Sequence, residues 1–201
     1  MSRTSRVAVR GTLMAALAAL PLLAAPAPAH AQDGPVEYRV LATTRTSTMQ
    51  REINAAAAQG FRFDAVMGGE TAIGGNETVV IVSRRPGDAS KFEYRLLATN
   101  RTSTMEQEMQ AASDAGFHYR GQTVFSTSFG GKEVIVILER DIDHPEPGGW
   151  DYRLLATSRT STMEKEVQQA ANQGFTVVGL TVADTAIRGK ELVTIMRRKR
   201  P

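Results

Sequence analysis

The chain has 201 residues, with 24 Lys and Arg against 21 Asp and Glu and a net charge of +3. It contains no cysteine, which excludes disulfides, thiolate metal sites and a cysteine nucleophile and leaves stability to packing. The charge excess sits wholly in residues 1–31, which hold Arg3, Arg6 and Arg10 and no acid, so the remaining 21 Lys and Arg match the 21 Asp and Glu.

Residues 1–31 have the layout of a secretory signal peptide: a basic start, an apolar stretch from Leu13 to Ala25 and a small-x-small site at Ala29-His30-Ala31. The apolar stretch is shorter than the roughly 20 residues a spanning helix needs, and Pro21 interrupts it. We therefore expect cleavage after Ala31, a mature N-terminus at Gln32, a periplasmic or secreted location, and a product that is not an integral membrane protein.

Downstream, one unit of about 46 residues is written three times. Tyr38-Arg39-Val40-Leu41-Ala42-Thr43 recurs from Tyr94 to Thr99 and from Tyr152 to Thr157. After one variable residue, Arg-Thr-Ser-Thr-Met is identical at 45–49, 101–105 and 159–163. The register continues through Gly60-Phe61, Gly116-Phe117 and Gly174-Phe175 to Gly75, Gly131 and Gly189. Repeats are expected at 37–85, 93–140 and 151–199.

Each repeat reads as strand, helix, strand, strand. The opening Tyr-Arg-Leu-Leu-type segment is short, aromatic and apolar, as a strand wants. Ser47 with Gln50, Ser103 with Glu106 and Ser161 with Glu164 fit a capping box at a helix start. Met49, Ile53, Ala56 and Ala57 then fall at helical spacing, as do Met105, Met109 and Ala112, and Met163, Val167, Ala170 and Ala171. Gly60, Gly116 and Gly174 stand where a helix turns left-handed to stop. The remainder is a hairpin turning at Gly74-Gly75, Gly130-Gly131 and Arg188-Gly189. The continuous apolar runs Val79–Val82 and Val134–Ile137 suit strands buried on both faces. The expected fold class is α+β: three tandem βαββ repeats, each helix packed on an antiparallel or mixed sheet. One such unit alone is too small to bury a sufficient core, so the copies should pack on one another or on other chains.

With a Tyr-rich first strand, a helix ending in Gly-aromatic and a closing hairpin, each unit resembles the bacterial family catalogued as domain of unknown function 4177. That family favours Gly-Trp where this chain has Gly60-Phe61. The resemblance implies the βαββ fold and brings no catalytic residues with it.

The candidates for chemistry are few. His118 takes the place of Arg62 and Thr176 in the other copies and His144 lies in a linker, so both read as surface residues. No histidine or cysteine cluster supports a metal or cofactor. Glu52, Glu108 and Glu166 recur one turn into each helix, where acids gain about 0.3–1 kcal/mol from the helix dipole, with Arg45, Arg101 or Arg159 as partners. The basic run Arg197-Arg198-Lys199-Arg200 reads as a solvated end, and nucleic acid is not an expected partner.

What remains is Arg45-Thr46-Ser47-Thr48, Arg101-Thr102-Ser103-Thr104 and Arg159-Thr160-Ser161-Thr162, a guanidinium and hydroxyls at a helix start, where N–H groups and the dipole attract anions. Each segment is either a pocket for a small anionic ligand or a structural junction. The expected function is that of an exported, non-catalytic binding or interaction protein whose partner is a small anion or another envelope protein, with self-association in view. The alternatives are a hydrolase using the repeated Arg and Glu residues and a purely structural protein of the cell envelope.

Overall fold

The computed structural model describes residues 34–71, 75–99, 101–126, 132–185 and 189–200. The expected signal segment, the cleavage point at Gln32 and the turn residues Gly74, Gly130, Gly131 and Arg188 lie outside the described residues.

The elements follow the expected order three times: β1 (Glu37–Thr43), α1 (Thr46–Ala57), β2 (Arg62–Thr71), β3 (Gly75–Arg84); β4 (Phe92–Thr99), α2 (Thr102–Asp114), β5 (His118–Ser126), β6 (Lys132–Asp141); β7 (Trp150–Thr157), α3 (Thr160–Ala171), β8 (Thr176–Thr185), β9 (Gly189–Lys199). Each repeat closes its own three-stranded sheet with the last strand central, in the orders β1-β3-β2, β4-β6-β5 and β7-β9-β8. Every pairing is antiparallel, and each second strand carries a bulge at the same place, Phe63/Ala65, Tyr119/Gly121 and Val177/Gly179.

The glycine stops form as the sequence implies. Gly60, Gly116 and Gly174 have φ of 84°, 86° and 86°, a backbone region that costs residues with a Cβ. Gly60 N donates to Ala57 O and Phe61 N to Ala56 O, and the same pair of bonds closes the other two helices; this is the Schellman pattern. The phenylalanine after each glycine is buried between two guanidinium groups, Arg39 and Arg84 on Phe61, Arg95 and Arg140 on Phe117, Arg153 and Arg198 on Phe175. Arg84, Arg140 and Arg198 also donate to carbonyls at the helix ends. One arginine thus caps the helix and covers the ring.

The basic C-terminal run is not the solvated end expected. Arg198 and Arg200 both bond Asp151, Arg200 also bonds Asp114 in the preceding repeat, and Arg197 lies over the Trp150 ring. These contacts use the charge inside the fold.

The repeats pack in succession. Met49, Ile53, Phe61, Phe63, Val80 and Val82 of the first share a core with Tyr94, Ile135 and Ile137 of the second. Met105, Met109, Phe117, Val136 and Leu138 of the second share the next with Tyr152, Val193 and Ile195 of the third. Among the described residues, Ala170, Phe175 and Met196 form the buried cluster beneath α3, with Leu155 and Val167 partly buried beside them. Two-sided strand burial, expected for β3 and β6 alike, therefore holds for β6, where Val134 to Glu139 are all buried. It fails for β3, whose Ile81 is exposed, because the face of β3 that carries Ile81 has no preceding repeat packed on it as the face of β6 that carries Ile137 does.

Candidate functional site

The Arg-Thr-Ser-Thr segments start the helices two residues earlier than a serine cap would. Arg45, Arg101 and Arg159 are the N-cap residues, with extended backbone and no side-chain capping bond. Their N–H groups donate to Thr43, Thr99 and Thr157 Oγ1 at 3.3, 3.2 and 3.3 Å, and their carbonyls accept the first helical bonds. The threonine that ends each first strand, not the serine, closes the turn. The three arginines are exposed, and no ion pair among the described residues joins them to Glu52, Glu108 or Glu166. No hydrogen bond or ion pair among the described residues brings the three segments together.

The side chains assigned to the capping box do something else. Gln50 Oε1 accepts from Leu96 N at 2.9 Å, and Asn54 both accepts from Tyr94 N and donates to Tyr94 O. One repeat later, Glu106 Oε2 accepts from Leu154 N at 2.7 Å, while Gln110 accepts from Tyr152 N and donates to Trp150 O. Each of these helices thus hydrogen-bonds the outer edge of the next repeat's first strand, satisfying backbone groups the edge would otherwise leave unpaired. The tyrosine of that strand completes the joint: Phe63 N donates to Tyr94 Oη at 2.9 Å and Tyr119 N to Tyr152 Oη at 2.8 Å.

The joint is left open at both ends of the repeat array. On α3 the corresponding acceptors are Glu164 and Gln168, which with Ser161, Lys165, Gln169 and Asn172 line an open groove of about 520 Å³. On β1 the corresponding tyrosine, Tyr38, is 64% exposed, against 2% for Tyr94 and 5% for Tyr152. Val40, Met67 and Ile81 are exposed beside it, and Val177, Leu180 and Val182 are exposed on β8 of the third repeat.

One asymmetric cluster of ionisable groups is absent from the sequence reading. Between the first two repeats, Glu139 accepts two bonds from Arg62, at 2.8 and 3.2 Å, and one from Tyr94 Oη at 2.8 Å, with Arg120 at 3.5 Å. Burial first, and then Glu139, raises the Tyr94 phenol well above its usual pKa. A carboxylate so fully occupied presents no oxygen to a substrate, and the cluster ties two repeats together. His118, expected at the surface, is half-buried and edge-on to Trp150 at 6.4 Å; burial, the larger cause, and Arg197 lower its pKa although Glu146 opposes them. His144 is 86% exposed, as a surface residue should be.

Among the described residues no group of three or more His, Asp or Glu is placed to hold a metal ion, and no helix is long and apolar enough to cross a membrane. Comparison with known proteins finds no matching family model, no matching curated protein and no matching solved structure.

Proposed function

We propose that the chain is an exported, non-catalytic interaction protein that binds a protein partner by docking the edge of a β-strand onto α3. Export rests on the layout of residues 1–31. The binding mode rests on one observation: Glu164 and Gln168 repeat the helix positions that Glu106 and Gln110 use to hold the backbone of β7, and they line an open groove. Backbone recognition of this kind supplies affinity through main-chain hydrogen bonds, and neighbouring side chains supply selectivity.

The test is a photo-crosslinking residue at position 168, activated in the compartment where the protein resides. The expected product is an adduct whose partner peptide maps to a β-strand edge. Absence of any protein adduct at 168, with efficient crosslinking from an in-chain control at 110 to β7, contradicts the reading.

A further inference from the structure

The same joint names its own occupant. We propose that the strand docking on α3 is β1 of a second copy of this chain, so that copies join head to tail through a third version of the interface already formed twice within each chain; this rests on the strand-docking reading above.

Register matches first. Tyr94 and Leu96 of β4 donate their N–H groups to Asn54 and Gln50 of α1, and Tyr152 and Leu154 of β7 donate theirs to Gln110 and Glu106 of α2. Tyr38 and Val40 hold those positions on β1, paired to Ser83 and Ile81 of the central strand as Tyr94 and Leu96 are paired to Glu139 and Ile137. Gln168 and Glu164 hold the acceptor positions on α3. Val177 stands at the bulge position from which Phe63 and Tyr119 donate to a tyrosine hydroxyl, so Tyr38 Oη has a donor waiting.

Shape obeys the same correspondence. Within the chain, Phe63 lies so close to Gly121 that a Cβ there would come within 2.9 Å of the ring, and a Cβ on Gly179 would collide with Gln122 and Tyr119. At the ends the pair is exchanged: Ala65 holds the glycine position on β2 and Val177 the aromatic one on β8. The larger residue on one side meets the smaller on the other. The residues at the positions of Glu139 and Arg62 are Ser83 and Thr176, so at that pair of positions docking brings together two uncharged side chains and leaves no charge there without its partner.

Exposure agrees with both. Repeat arrays end in polar capping faces when they are to stay monomeric. Here Tyr38, Val40, Met67 and Ile81 are exposed on the first repeat and Val177, Leu180 and Val182 on the last. Because the two faces differ, the contact is heterologous and grows into rings or filaments rather than a closed pair.

Sedimentation velocity on the exported full chain tests this with two blocked variants, Glu164→Lys/Gln168→Lys at the tail and Val40→Lys at the head, both at exposed positions. The wild type should show a mean mass that rises with concentration, each variant alone should stay monomeric, and an equimolar mixture of the two should form a dimer and nothing larger. Wild type that stays monomeric to about 1 mM, or variants that assemble like wild type, overturns the proposal. The crosslink at 168 separates the two readings: an adduct to the β1 peptide of another copy supports both. An adduct to a different protein's strand overturns self-assembly and leaves strand docking standing, and no adduct overturns both.

Discussion

Glu106 Oε2 accepts the backbone N–H of Leu154 at 2.7 Å, while Glu164, one repeat further on at the same helical position, lines an open groove. The two glutamates share the same preceding residues and differ in their neighbours, since α2 packs against a further repeat and α3 has none. Glu106→Ala should therefore leave a part-buried amide without its partner and lower stability by about 1–3 kcal/mol. Glu164→Ala, measured in dilute solution where the chain is unassembled, should change stability by no more than about 0.5 kcal/mol. Urea titrations of both variants against wild type check the contrast, and equal losses would show that the two helices are not in different environments.

Gly116 should not tolerate a β-branched residue. Its φ of 86° is left-handed, and an added Cβ would stand 3.4 Å from Arg140 Cδ, the side chain that caps the helix and covers Phe117. Gly116→Val is expected to cost more than about 1–2 kcal/mol, read as a lower denaturation midpoint. An unchanged midpoint would mean the Schellman closure contributes nothing.

The Gly-Phe stops and the strand-helix-strand-strand order of elements are legible in the sequence because each depends on a local rule: glycine alone adopts the left-handed stop without penalty, and apolar residues at helical spacing mark one face. The capping box fails because Gln50, Glu106 and Glu164 satisfy its spacing for a different reason: the first two reach backbone amides 46 and 48 positions away, and no local rule registers such a contact. His118 reads as a surface residue because its burial comes from Trp150 in the next repeat. The Arg62–Glu139 pair spans 77 positions and two repeats, and only its asymmetry hints at it, Arg62 and Glu139 standing where the other copies have unlike residues.

Acid should weaken the joint between the second and third repeats. Burial lowers the His118 pKa in the fold, whereas in the unfolded chain it titrates near 6.5. Below that pH the unfolded state binds more protons than the native state, so stability falls as pH drops through about 6.5 toward the depressed native value and is fully present above it. Thermal melts at pH 7.5 and pH 5 should show a drop that is smaller in His118→Asn than in wild type. An identical pH response of the two would assign the acid sensitivity to other groups.

Export predicts a specific end of the chain. If Arg3, Arg6, Arg10 and the Ala29-His30-Ala31 site act as the signal segment whose layout they have, protein recovered from its native host should begin at Gln32. N-terminal sequencing reads this directly, and an intact Met1 on cytoplasmic material would overturn it.

The repeated arginines separate a ligand site from a brace. Arg45, Arg101 and Arg159 supply backbone bonds to the helix starts, yet their exposed side chains form no ion pair among the described residues. If they braced the repeats, removing all three would lower stability; side chains without partners have little to lose, and exposed positions change stability by about 0.5 kcal/mol or less each. The triple variant Arg45→Gln/Arg101→Gln/Arg159→Gln should therefore melt close to wild type with no anion present. An anion held at these helix starts stabilises the native state by RT ln(1 + [L]/Kd), so a panel of phosphate, sulfate, dicarboxylates and acidic sugars would raise the wild-type midpoint alone. A large loss in the variant without ligand would mark the segment as a structural junction, and equal shifts in both proteins would place any anion elsewhere.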